Sequence, residues 1–265
     1  MTKPKLLHIS LGCHNTGMWQ AFDNHFETIH FDWTQHKQNP HLLNEEVRRV
    51  FDYHQPDVVF MQLQNSGNLT PRTVAHMSKT SITVTWNGDV RSPIPRWEIE
   101  IGRVVDVALY TNMHYVDVLC SKGINAQYLQ VGFDETIFTP EGTTNNFPPI
   151  IFLGSNYETS SNFPLSGMRT HMVQTLKQTF GDRFTAYGHN WQRIIGEERF
   201  LNQQEEAMAY RSCKIAINLS HFDYGRYSSD RMLRLMGSGA FCLSHNFKAI
   251  EEEFEIGKHL DVFRR

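Results

Sequence analysis

The sequence has no long apolar run. Nothing in it approaches the about 18 consecutive residues that a membrane-spanning helix requires, so no span is expected. The first residues, MTKPKLLHIS, offer too few apolar positions before His8 and Ser10 for a secretory leader. Charge of one sign is lacking too: 25 Lys and Arg stand against 28 Asp and Glu, with no basic run. That removes the electrostatic footprint of sequence-independent nucleic-acid binding. Cysteine is scarce. Cys13, Cys120, Cys213 and Cys242 form no C-x-x-C pair, and three sit in apolar, strand-like surroundings. They read as buried thiols in a reducing cytoplasm, and not as a disulfide framework or zinc site. The 14 histidines form neither H-E-x-x-H nor a Cys/His cluster of zinc spacing, so no metal site is expected. No short repeat or low-complexity tract occurs.

What is present is apolar and aromatic. With 40% hydrophobic residues, including 18 Phe, 9 Tyr and 5 Trp, the chain can offset its ordering entropy and fold. Apolar runs alternate with amphipathic stretches: KLLHISL (5–11), TIHFDW (28–33), DVVFMQL (57–63), SITVTW (81–86), VDVALYT (105–111) and AQYLQV (126–131) read as strands. Between them Leu43, Val47, Val50 and Phe51 recur at helical spacing after Asn39-Pro40, and another helix opens at Thr70-Pro71. Such alternation predicts a doubly wound parallel sheet with its ligand at the strand C-termini. Residues 132–149 break the pattern with three Pro and two Gly. The pattern then restarts with IIFLGS (150–155), a helix near 167–180, FTAYG (184–188), a polar helix near 203–212, KIAINLS (214–220) and a helix-turn-strand over 228–244. The expected organisation is two α/β halves, about 1–135 and 148–265, joined by one linker.

VGFDETIFTP (131–140) resembles the interdomain segment of GT-B glycosyltransferases. Residues 210–263, YRSCKIAINLS through RMLRLMGSGAFCLSHNFKAIEEEFEIGKHLDVF, are similar to the donor half of group-one glycosyltransferases, particularly the spore-maturation (CgeB-like) type. Where the family helix reads R-x-x-E-x-x-A-x-G, this chain has Arg231, Arg234, Gly237 and Gly239, and the family's Glu/Phe/Gly-Lys tail corresponds to Glu253, Phe254, Gly257 and Lys258. YGHNW (187–191) also resembles that subgroup. The resemblance implies two Rossmann-like domains facing a cleft, with a nucleotide-diphosphate sugar as co-substrate in the C-terminal half and a hydroxyl acceptor at the N-terminal half. The acceptor class stays open among saccharide, small molecule, protein and modified base. The chain lacks the Asp-x-Asp signature by which the other large glycosyltransferase fold holds metal, which suits a metal-independent reaction with no further cofactor. Two departures stand out. Where many family members carry two glutamates eight residues apart, the second binding the donor ribose, this chain has Arg226 and Arg234; a guanidinium cannot accept from a ribose hydroxyl. The chain also ends at Arg265, where the family continues into helices crossing back to the first domain, so it reads as a shortened version or a fragment.

Candidate site residues follow from chemistry. A helix starting at Ser228, Ser229 or Asp230 presents unpaired N–H groups to a diphosphate, and Arg226 and Arg231 flank it. Fixed positive charge there stabilises the oxygen that gains charge as the sugar leaves. The structural alternative is a simple N-cap with solvated arginines. Gly154, Ser155 and Asn156 follow the first strand of the second half and should approach the nucleotide, with Arg169 opening the next helix; Tyr187, Gly188 and Trp191 are candidates for the nucleobase pocket or for core. In the first half, WNGDVRSPIPRW (86–97) offers Asp89 to hold or deprotonate an acceptor hydroxyl and Arg91 to orient an anionic group, against an Asn-Gly-Asp turn. GCHNTG (12–17) offers His14 as a catalytic group and Asn15 as an acceptor contact, although it fails the G-x-G-x-x-G spacing and reads equally as a turn. Glu197 and Glu205 repeat the eight-residue spacing in a polar helical stretch and are read as coincidence. The resemblance leans towards retention of the anomeric centre, whereas Asp89 as base implies inversion. The expected activity is sugar transfer from a nucleotide-diphosphate sugar. The alternatives are a non-catalytic nucleotide-sugar binding module, a nucleotide-sugar epimerase, and, more narrowly, a viral-type transferase acting on modified nucleic-acid bases.

Overall fold

A computed structural model describes residues 3–12, 16–157 and 162–264. Its contacts divide the chain into two compact units, Met1–Gln130 and Val131–Arg265.

The first unit follows the alternation of the sequence. Its elements are β1 (Lys5–Ser10), α1 (Thr16–His25), β2 (Glu27–Asp32), α2 (Pro40–His54), β3 (Val58–Met61), α3 (Pro71–Met77), β4 (Ile82–Asn87), α4 (Arg96–Gly102), β5 (Val107–Tyr110), α5 (Met113–Cys120) and β6 (Ala126–Tyr128). Helix starts coincide with short polar caps. Asn39, Thr70 and Asn112 each accept a hydrogen bond from a first-turn N–H, and Pro40 and Pro71 sit where no intrahelical N–H is needed. Gln55 closes α2 in the left-handed region. The six strands are parallel in the order β2-β1-β3-β4-β5-β6. The winding reverses between β1 and β3. Leu43, Val47 and Phe51 from α2 pack with Leu7, Ile9, Val59 and Met61 of the sheet, burying the apolar stripe that the spacing predicts.

The second unit contains β7 (Ile150–Leu153), α6 (Ser166–Phe180), β8 (Phe184–Tyr187), α7 (Gln192–Ile195), α8 (Gln203–Ser212), β9 (Ile215–Asn218), α9 (Asp230–Gly237), β10 (Phe241–His245) and β11 (Asp261–Phe263). Its strands are parallel in the order β11-β10-β9-β7-β8, with the reversal between β7 and β9. In open sheets of this kind ligands bind beyond the strand C-termini at the reversal.

The proline-rich segment read as a linker packs into the second unit. Phe138 joins that unit's core. Arg211 of α8 donates to the carbonyls of Ile137, Thr139 and Thr143 at 3.0 to 3.3 Å. Gly237 gives the Phe133 ring its place, since a Cβ there would fall 2.5 Å from it. Glu205, of the Glu197/Glu205 spacing, is the N3 residue of a capping box with Asn202 at the start of α8. Of the thiols, Cys213 and Cys242 are buried and burial pushes both up to about 12, while Cys120 is exposed on α5. Cys13 lies outside the described residues.

Candidate functional site

At the reversal point of the second unit, the first turn after β7 and the turn after β9 meet around one side chain, Arg169. It projects from the first turn of α6 and is 1% exposed. Its Nη1 donates to the Ser155 carbonyl at 3.0 Å and lies 2.7 Å from His221 Nε2, and its Nη2 donates to the Leu219 carbonyl at 2.5 Å. Among the described residues, no carboxylate pairs with it, and its Nε has no partner. A buried guanidinium without a counter-ion is costly. Burial, then the charge of Arg231, hold its pKa well below the ordinary arginine value. His221 is pushed down to about 3 by burial, then by Arg169 and by Arg231. Arg169, Arg231 and a neutral His221 thus share one end of the sheet, and the charge of Arg231 disfavours charge on the other two.

Arg231 comes from α9, whose start at Asp230 with Ser229 as N-cap lies where the sequence places it. Ser229 makes no capping bond with its side chain, its buried Oγ lacks a partner, and its own N–H donates to Ser220 Oγ at 3.2 Å. Ser228 is buried. Among the described residues, no carboxylate pairs with the Arg231 guanidinium either, and its backbone N–H donates to Asp230 Oδ1 at 2.9 Å.

The other two arginines differ from the reading of the sequence. Arg226 is not a free cation beside the helix: Nε and Nη2 both pair with Glu253, with Glu252 at 3.8 Å. Arg234 pairs with Glu206 at 3.3 Å and Asp230 at 2.9 Å, and stacks its guanidinium 5.2 Å from the centre of the Phe138 ring. Glu206 is buried beneath it, and burial raises its pKa against the opposing pull of Arg234. Each arginine that replaces an expected glutamate is therefore neutralised within the unit. Glu253 and Glu206 lie 27 and 28 residues away, beyond any local pattern, whereas Asp230 is one helical turn from Arg234.

The residues after β7 and β8 are a buttress. Ser155 gives its carbonyl to Arg169, and its Oγ accepts from His189 N–H at 3.2 Å. Asn156 is buried, donates to the Asn190 carbonyl at 3.3 Å and accepts from Thr170 at 3.0 Å. Trp191 is wholly buried and donates from Nε1 to the Gly154 carbonyl at 2.6 Å; Tyr187 is also core. Tyr187 and Trp191 therefore do not line an open nucleobase pocket. Gly188, at φ +130, presses its backbone on Gly154, leaving a Cβ only 2.7 Å from the Gly154 carbonyl carbon. These contacts fix the turn that carries the carbonyl to which Arg169 is tethered.

At the same end of the sheet in the first unit, the β4–α4 loop carries Asp89 and Arg91. Asp89 N–H donates to Asn87 Oδ1 at 3.0 Å, the turn bond of an Asn-Gly-Asp sequence. The Arg91 backbone is clamped by Tyr115, whose hydroxyl accepts from its N–H at 2.7 Å and donates to its carbonyl at 2.6 Å. The Arg91 guanidinium donates to the Gln64 carbonyl at 3.0 Å and lies 3.7 Å from Asp89. Trp86 is buried, donating to the Leu129 carbonyl at 3.2 Å, so it offers no face to a sugar. Residues 96–102, which carry no helical signal strong enough to read, form α4 and bury Glu98 beneath the loop. His14 and Asn15 lie outside the described residues. Among the described residues, no group of His, Cys, Asp and Glu is placed to hold a metal, and no helix is long and apolar enough to cross a membrane.

Residues 169–265, which begin at the buried arginine, match a family model described as glycosyl transferase-like. No curated protein matches the sequence. Solved structures do match in fold. A glycosyltransferase from Rickettsia africae superposes with a TM-score of 0.62 at 12% identity, covering 100% of this chain and 84% of that one. The Anabaena protein HepE in complex with UDP and glucose gives 0.59 at 12% identity, with 98% and 86% covered. A Listeria monocytogenes protein assigned as a UDP-N-acetylglucosamine 2-epimerase gives 0.57 at 13% identity, with 95% and 82% covered. At such identities the likeness is one of fold, and the two parallel-sheet α/β units of this chain are those of the GT-B architecture.

Proposed function

We propose that the protein is a GT-B glycosyltransferase that moves a sugar from a nucleotide-diphosphate sugar to a hydroxyl acceptor, and that it belongs with the CgeB-like transferases. The observation that carries the reading is the pair of guanidinium groups without carboxylate partners, Arg169 and Arg231, at the reversal point of the second sheet. A diphosphate supplies the missing counter-charge. It would be held by Arg231, by the backbone N–H groups at the start of α9 with Ser228 and Ser229, and by the field of Arg169, which the tethered turn of Gly154, Ser155 and Asn156 keeps in place. As the bond from the sugar's anomeric carbon to the diphosphate oxygen breaks, negative charge grows on that oxygen, and fixed cations lower the barrier. The acceptor oxygen forms the new bond to that carbon and gives up its proton. In the inverting form of the reading Asp89 takes that proton; in the retaining form the departing phosphate does. Arg91 orients an anionic acceptor group, and His14 and Asn15 remain acceptor-side candidates. No metal ion or further cofactor enters the scheme, and the protein works in the cytoplasm.

A second reading, nucleotide-sugar epimerisation, is favoured by the likeness to the Listeria fold. Incubation with UDP-, GDP-, ADP-, CDP- and TDP-sugars, with and without acceptors, followed by NMR of the products separates the two. Transfer to a hydroxyl, with the product anomer reporting the stereochemistry, supports the first. An isomerised donor or nucleotide released without any acceptor supports the second. Binding of a nucleotide sugar that is never turned over would leave a binding module.

A further inference from the structure

Three arginines of the second unit are held by polar partners, and the partners differ in charge. Arg226 takes Glu253, and Arg234 takes Glu206 and Asp230. Arg169 is the most buried of the three, where an opposite charge would be felt most strongly, yet its acceptors are the Ser155 carbonyl, the Leu219 carbonyl and His221. An arginine offers only donors, so at the 2.7 Å contact Arg169 Nη1 donates and His221 Nε2 accepts. Nε2 therefore carries no proton, and the neutral ring holds its proton on Nδ1, which is buried with no partner. All three acceptors around the guanidinium are thus neutral.

His221 is itself held in place. Its carbonyl accepts from Leu165 N–H at 3.1 Å, on the segment that leads into Arg169. Its ring centre lies 4.5 Å from that of Phe163 and 5.1 Å from that of Tyr157. The charged groups around it are Arg169 and Arg231; burial first, and then these two cations, push its pKa down to about 3.

We propose that His221 is a positioning residue for Arg169: a neutral acceptor that fixes the guanidinium without cancelling its charge, which stays available to an anionic ligand. A carboxylate in that place would bind Arg169 more tightly, through a charge-assisted bond, and would leave no net charge for an incoming anion. The neutral ring forgoes that stability and leaves a buried Nδ1–H unpaired, a trade expected where a binding site and not the fold sets the choice of residue. That the anion is the diphosphate of a sugar donor rests on the functional reading; the neutrality of the partner does not.

The test uses the full chain, with inorganic pyrophosphate as the probe. Long-range 15N NMR of the histidine side chains, with His221→Gln identifying the resonance, should show a neutral His221 with its proton on Nδ1 from about pH 5 to about 8. A proton on Nε2, or an imidazolium in that range, overturns the proposal. Calorimetry then compares three variants. His221→Leu, which removes the acceptor, should weaken pyrophosphate binding by about tenfold, and His221→Gln, which returns a neutral acceptor, should recover most of that loss. His221→Glu should melt no lower than the wild type and bind pyrophosphate at least about tenfold more weakly, a split that a merely structural role would not produce. A His221→Glu protein that binds as tightly as the wild type overturns the proposal. If His221→Glu does not fold, the other pair decides, and equal affinity of His221→Leu and His221→Gln overturns it. A wild type that binds neither pyrophosphate nor any nucleoside diphosphate contradicts the functional reading, while the tautomer of His221 and the melting temperature of His221→Glu still decide whether the neutral acceptor leaves Arg169 its charge.

Discussion

The two units share a doubly wound parallel sheet, and at the C-terminal end of each sheet lies a buried charged group with no ionic partner. In the second unit it is a cation, Arg169, with Arg231 and a neutral His221 beside it. In the first it is an acid, Glu98, under the paired Asp89 and Arg91. One scaffold therefore leaves opposite charges unpaired in its two units, and it is under the proposed function that the cation of the second meets an anionic leaving group. Fold alone does not make that choice.

The comparison breaks most sharply at Arg169. Its guanidinium ties the β7 turn to the β9 turn, so Arg169→Ala leaves two buried carbonyls unpartnered. Unfolding by urea should show a loss of about 3 kcal/mol or more, and nucleoside diphosphate binding should vanish. Gly188→Ala attacks the same turn from β8, with a Cβ 2.7 Å from Gly154 in a φ +130 conformation; a loss of about 2 kcal/mol in the same measurement is expected.

Next in size is pH dependence, where the buried histidines of the two units act with one sign and Glu98 with the other. His8, packed at β1 against His30, and His221 in the second unit are both pushed down to about 3, first by burial. Their ordinary value of 6.5 applies to the unfolded chain, so below that pH the unfolded state binds protons that the folded state refuses. Each costs up to about 1.4 kcal/mol of stability per pH unit as pH falls towards 3. Glu98 acts oppositely: between its ordinary 4.5 and about 7 the folded state holds the extra proton, so its contribution is lost as pH rises through that window. Urea titrations from pH 4 to 8 should therefore lose slope in His8→Asn and gain slope in Glu98→Gln. A saturating diphosphate should raise the His221 value, because it neutralises the arginines that suppress it.

The smallest effect is a control. Arg226→Ala removes a cation already paired with Glu253 and should leave nucleotide affinity within about twofold by calorimetry, in contrast to Arg231→Ala.

Much of the fold was legible because it is carried by local signals. The apolar runs and the caps at Asn39, Thr70 and Asn112 mark both sheets and several helices. α4 was missed because its seven residues follow Pro93 and Pro95 and alternate apolar with charged, EIEIG, without a helical stripe. Glu98 was invisible with it. At the candidate site, Arg231 and the start of α9 were readable from spacing. The pairing of Arg226 with Glu253 and of Arg234 with Glu206 was not, because these carboxylates reach them through tertiary packing; Asp230, one turn before Arg234, is the local partner. Tyr187 and Trp191 carry no sequence mark that distinguishes a ligand platform from core, and burial assigns them to core. His221 acquires its role only by meeting Arg169, which is 52 residues away in the chain.

The central claim is that Arg231 and Arg169 hold a diphosphate. Calorimetric titration of the wild-type protein and Arg231→Ala with UDP, GDP, ADP, CDP and TDP tests it most directly. The account predicts that one nucleotide class binds the wild type, and that the substitution weakens binding by about 1.5 to 3 kcal/mol, the range for a bond to a charged group, without changing the melting temperature. Unchanged affinity in Arg231→Ala, or no binding of any nucleoside diphosphate to the wild type, would contradict it.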